Sequence, residues 1–105
     1  MRADQAQRFS LPTPEQVTVS ELGGDGIVTV IGIGFGEKMR RASDRREHLR
    51  AALLAEAAVV DDDGNSVMDA ESWDAFGVQY EDQFIKLLEV VRRLNGFDAA
   101  AVKKA

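Results

Sequence analysis

Two stretches near the start of the chain alternate apolar with polar residues, whereas beyond about Glu37 the apolar residues recur every three or four positions. The first pattern is that of half-buried strands and the second that of amphipathic helices. VTVSEL (residues 17–22) and GIVTVIGIGF (residues 26–35) are the alternating segments, and Gly23, Gly24, Asp25 and Gly26 between them have the length and composition of a hairpin turn. Further on, Leu49, Ala52, Leu53 and Ala57 make one helical stripe, and the alanines around them favour helix and close packing. Asp44 followed by Glu47 resembles a helix-start pair, which predicts a break or second start near Ser43. Asp69 is placed to cap a short helix that carries Trp73 and Phe76 on one face and ends at Gly77. From about Glu81, Phe84, Leu87, Leu88, Val91 and Leu94 follow the 3.6-residue period until Asn95 and Gly96 stop it, with Arg92 and Arg93 suiting the negative end of the helix dipole. The expected fold class is α+β, an N-terminal β-hairpin followed by a mostly helical body of three to four helices.

At 105 residues the chain is expected to be one domain with one core. Residues 1–15 read as a flexible N-terminal arm, polar and interrupted by Pro12 and Pro14; residues 16–96 read as the globular domain and 97–105 as a tail. With no cysteine, disulfides and thiolate metal sites are excluded. The N-terminal sequence lacks the apolar run of a signal peptide, and no stretch has the ~20 apolar residues of a membrane span, so a cytoplasmic, soluble protein is expected. The net charge of −5 argues against nucleic acid as a partner, and the charge is segregated. Residues 37–50 hold six basic residues against three acids, while residues 56–82 hold acids only. Such a chain can present two solvated faces of opposite sign, or associate with copies of itself.

Motifs that would carry chemistry fail on spacing. A calcium loop with Gly64 at its sixth position puts Val59 at the first and Ala70 at the twelfth, and one started at Asp61 puts Ser66 and Ser72 where Gly and Glu belong. The segment 61–65 is expected to be a tight turn, with Val59 and Val60 in a short hairpin against Val67. Gly32, Gly34 and Gly36 lack the third glycine of a dinucleotide fingerprint and the Gly-Lys-Ser/Thr of a phosphate loop. His48, the single histidine, stands among arginines with nothing to make it a catalytic base, so no enzyme, metal or cofactor is expected. Trp73, Phe76, Tyr80 and Phe84 form an aromatic group that can be either the core of a small domain or an exposed binding patch.

The order of these pieces resembles the tail assembly chaperones of long-tailed, siphovirus-type bacteriophages. The resemblance covers most of residues 17–96: VTVSELGGDGIVTV as the hairpin, an Arg-rich helix ending in AAVV, the turn DDDGNSVM, the short acidic helix DAESWDAFG and the terminal helix LLEVVRRLNG. The chain departs from such proteins at IGIGFG (residues 31–36), where they continue the second strand into a Leu-containing turn. The resemblance implies a non-catalytic role in the cytoplasm of an infected or lysogenic host. There the protein would bind the tape measure protein and keep it soluble until tail tube subunits polymerise, and it would be missing from the mature virion. In such proteins a frameshifted extension recruits the tail tube protein, and Lys103-Lys104 is compatible with a slippery codon pair. The residues expected to meet the client are Phe35, Trp73, Phe76 and Tyr80. The alternative from another class is a small self-assembling structural component of a phage tail or head-tail connector.

Overall fold

The computed structural model describes residues 11–96, and its first element is the expected hairpin. Strands β1 (Glu15–Thr18) and β2 (Ile27–Val30) pair antiparallel, Val17 opposite Val28 and Glu15 opposite Val30. A single 3-10 turn over Ser20–Leu22 and the glycines join them. Gly26 is required there twice over. Its φ is +68°, and a Cβ would stand 2.9 Å from both the Ser20 Cα and the Val19 carbonyl oxygen. Residues 1–10 of the expected arm and the tail at 97–105 lie outside the described residues. β1 itself begins at Glu15, within the stretch the sequence assigns to the arm.

Helix α1 (Phe35–Ala42) starts two residues earlier than expected, because Gly34 is extended and its carbonyl accepts the Lys38 N–H at 3.0 Å. The predicted break at Ser43 is present, but not as a capping pair. The Asp44 carboxylate accepts the Arg46 N–H at 2.8 Å and so closes a local turn. A 3-10 turn over Glu47–Leu49 then leads into α2 (Arg50–Ala58). From α2 the chain passes directly into β3 (Val59–Val60), the third strand of the sheet. The expected contact of these valines with Val67 is present, since the Val67 N–H reaches the Val59 carbonyl at 3.3 Å and Ser66 bridges Val60, and on their other side Val59 and Val60 face Val30 and Thr29 of β2, a pairing the sequence does not mark. Burial explains this second pairing: Val59 and Val60 are both enclosed, as a strand covered on both faces requires.

The turn after β3 is organised by Asp61, whose Oδ1 accepts the N–H groups of Asp63 and Asn65 at 2.9 Å each, with Gly64 at φ +82°. Asp69 caps α3 (Ala70–Gln79) by accepting the Ser72 N–H at 2.8 Å, as its position predicts. Gly77 does not end this helix. The chain runs on to Gln79 and turns at Tyr80, whose carbonyl receives the Phe84 N–H of α4 (Glu81–Leu94) at 3.0 Å.

Gly77 is instead the place where the Phe84 ring lies against α3, and a Cβ there would approach Phe84 Cδ2 to 2.7 Å. Gly77→Ala should therefore destabilise the fold even though it improves helix propensity by about 1 kcal/mol, because overpacking costs about 1–3 kcal/mol. Denaturant unfolding checks this, and a stabilised variant would show that the ring can move aside.

The core lies between β2 and β3 on one side and α2, α3 and α4 on the other. Val28 and Val30 point inward from β2, the small residues Ala52, Ala55 and Ala58 let α2 approach its neighbours, and α4 contributes Phe84, Leu87, Leu88 and Val91, the stripe read from the sequence. Trp73 stands at the centre, stacked on Phe84 at 5.7 Å between ring centroids and edge-on to Phe76 at 5.5 Å.

Candidate docking surface

Helix α1 has its two sides the wrong way round for a helix on a core. Its sequence is strongly amphipathic, yet it buries no residue. At 100° per residue Phe35, Met39 and Ala42 share one face, while Glu37 and Arg41 point the other way. The polar side is the one that packs. The Glu37 carboxylate accepts Arg40 Nη2 at 2.6 Å and Arg41 Nε at 2.8 Å, and Arg41 reaches across to Glu56 on α2. Glu56 uses its second oxygen to accept the Ala70 N–H at 2.7 Å, so one carboxylate ties α1 and α2 to the start of α3. Lys38 donates to the Asn95 carbonyl at the end of α4.

These contacts leave the apolar side outward, with Phe35 76 % and Met39 49 % exposed. Beyond Ala42 the surface dips into an open pit of about 130 Å³ between α1 and α2, with Leu54 at its base and Lys38, Arg41 and Arg50 around it. The result is a short apolar strip of Phe35 and Met39, and beyond its end a pit edged by basic side chains. Hydrogen bonds from Arg40 and then Arg41 hold the Glu37 carboxyl down at about 2, and those from Arg46 hold Asp44 at about 2, so both carboxylates stay ionised and the arginines stay in place at neutral pH.

The chain leading into α1 is fixed by a buried amide. Asn95 is 4 % exposed; its Oδ1 accepts the Ile33 N–H at 2.7 Å and its Nδ2 donates to the carbonyls of Val91 at 2.8 Å and Ile31 at 3.3 Å. The segment 31–34 lies outside the strands and helices; the Ile31 N–H reaches the Ala58 carbonyl at 2.8 Å, and the Asn95 side chain supplies partners for the Ile33 N–H and the Ile31 carbonyl.

The four aromatics expected to meet a client are placed differently from one another. Phe35 is on the outward strip. Trp73 is fully enclosed, 0 % exposed, and is unavailable to a partner in this fold because α3 turns it between α2 and α4. Phe76 and Tyr80 are half-buried at the α3–α4 elbow, 5.3 Å apart, and Phe76 also touches the rings of Trp73 and Phe84. Phe35 makes no ring contact with them among the described residues. Met39 belongs to the strip and was missed in sequence; its signal was the four-residue spacing from Phe35 in FGEKMRRA.

The opposite charges meet within the chain at Arg41 with Glu56 and at Arg46 with Glu71, the latter at 4.0 Å. The rest of the acidic surface carries another exposed aliphatic group. Val78, 83 % exposed, stands on the outer side of α3 one turn beyond Asp74, with Glu81 and Asp82 following at the start of α4. Asp74, Glu81 and Asp82 form no ion pair among the described residues. His48 is exposed, as expected of a surface residue. No described helix is long and apolar enough to cross a membrane. Compared with protein-family models, with curated proteins and with solved structures, the chain matches none of them.

Proposed function

We propose that this protein is a tail assembly chaperone of a long-tailed bacteriophage, which binds the tape measure protein and keeps it soluble until the tail tube polymerises. The observation that carries the reading is the outward apolar face of α1, with Phe35 and Met39 left in water. A helix that packs by its charges and exposes its hydrophobes gains nothing from that arrangement in the free monomer, whereas a partner that covers it recovers about 25 cal/mol for each Å² of apolar surface removed from water. An amphipathic helix of the client fits such a strip, apolar side inward. The order of elements from the hairpin to the terminal helix supports the same family. The role needs no catalytic group and belongs in the host cytoplasm, outside the finished particle.

Co-expression with the tape measure protein of the same phage tests the reading. A raised soluble yield of the client, with the two proteins co-purifying, is the expected result; an insoluble client and no co-purification would overturn it. The alternative, a structural component of the tail or connector, would place the protein in purified virions, where mass spectrometry would detect it.

A further inference from the structure

We propose that the pit between α1 and α2 is the seat of Phe97 of the same chain, so that the segment after α4 straps α1 to the body of the fold. The inference goes beyond the client reading and does not draw on it. The end of α4 comes to the edge of the pit. Lys38 forms part of the pit wall, and the same side chain donates to the Asn95 carbonyl. Phe97 follows Asn95 by two residues, a span of at most about 7 Å of chain. Gly96 between them has φ +78°, which turns the chain off the α4 axis instead of prolonging the helix.

The chemistry of the pit matches the sequence that leaves Gly96. At its base is Leu54, which packs against the core, and its charged lining is basic throughout: Lys38, Arg41 and Arg50. The segment FDAAAVKKA (residues 97–105) opens with its one aromatic residue and then an acid, so a ring can enter over Leu54 while Asp98 meets the cations at the edge. The size fits one ring. The pit's volume of about 130 Å³ is close to the ~150 Å³ of a protein cavity that takes up benzene. Helix α1 also lacks the contact that such a ring would supply, since it buries none of its own residues and is held by the hydrogen bonds of its polar side. Phe35 and Met39 stay uncovered, because the pit lies beyond Ala42 at the end of their strip.

NMR of the purified full chain reads the contact directly. Nuclear Overhauser effects should link the Phe97 ring to the Leu54 methyl groups, whose resonances the ring current should displace. Phe97→Ser should return those resonances toward ordinary values while the circular dichroism stays that of the parent. It should also speed hydrogen exchange of the protected α1 amides about tenfold, the effect of losing one partly buried ring. Phe97→Leu, still apolar, should keep most of that protection. Leu54 methyl resonances that are the same in the parent and in Phe97→Ser would overturn the proposal. Contacts of Phe97 with Val91 or Arg92 alone would do so too, since a residue past a left-handed helix end commonly folds back on its own helix. So would a Phe97–Leu54 contact found only between labelled and unlabelled chains in a mixture, because the ring would then come from a second copy. No client is needed, so failure here leaves the client reading to its own experiment.

Discussion

Replacing Trp73 with alanine is expected to remove about 3–5 kcal/mol of folding free energy, a large part of the 5–15 kcal/mol that single domains possess. The indole is fully enclosed and in ring contact with both Phe76 and Phe84, so its loss leaves a cavity that the aromatic group cannot fill without giving up its own packing. Urea unfolding should show a lower midpoint at an unchanged slope. A loss below about 1 kcal/mol would mean that the ring is not enclosed as described. Trp73→Phe is expected to behave quite differently. The indole N–H is buried with no hydrogen-bond partner among the described residues, which already costs the parent part of what the ring contributes. Phenylalanine removes that orphan donor along with some volume, and the two effects oppose each other, so the variant should stay within about 1.5 kcal/mol of the parent.

The second large effect is expected at Asn95, where leucine should cost about 2–4 kcal/mol. The substitution deletes three side-chain hydrogen bonds, two of them buried, and leaves the buried Ile33 N–H without its acceptor. At about 4–8 °C per kcal/mol for a domain of this size, the melting temperature should drop by roughly 10 °C or more. Asn95→Asp separates the contributions, since it keeps the acceptor for Ile33 but sets a carboxylate against the carbonyls of Ile31 and Val91. A melting temperature within a degree or two of the parent for Asn95→Leu would show that the segment 31–34 does not depend on this amide. The consequence extends to α1, because the same segment aims the helix that carries Phe35.

Most of the regular elements could be read in the sequence because each was marked by more than one signal. The terminal helix had its stripe, its charged ends and its Asn-Gly stop, and α3 had its Asp69 cap. Gly77 misled because a glycine after an aromatic residue looks like a helix end, whereas only the packed structure shows the Phe84 ring that needs the space. The pairing of β3 with β2 is hidden for a related reason: the two valines after the Ala-rich helix show their local partner across the turn, but nothing in them names Val30 and Thr29 of β2, which lie far off in sequence. Asn95 was legible as a helix stop but not as a buried anchor, since nothing local marks a hydrogen bond to a residue 62 positions away.

The candidate surface shows a different limit. Periodicity tells which residues of α1 share a face, but whether that face is covered depends on which neighbours the fold supplies. Here Glu56 and Asn95 engage the polar side through Arg41 and Lys38, and the apolar side is left outward. Trp73 and Phe35 illustrate it as a pair. Both were aromatic, both were candidates for a client, and the fold enclosed one and exposed the other.

The proposed docking of the client on the outward strip of α1 is tested most directly by the soluble yield of the tape measure protein co-expressed with a Phe35→Ser, Met39→Ser double variant. Both side chains are exposed, so the variant should keep the parent's circular dichroism and melting temperature while failing to rescue or co-purify with the client. A folded variant that rescues the client as well as the parent does would show that the client binds elsewhere.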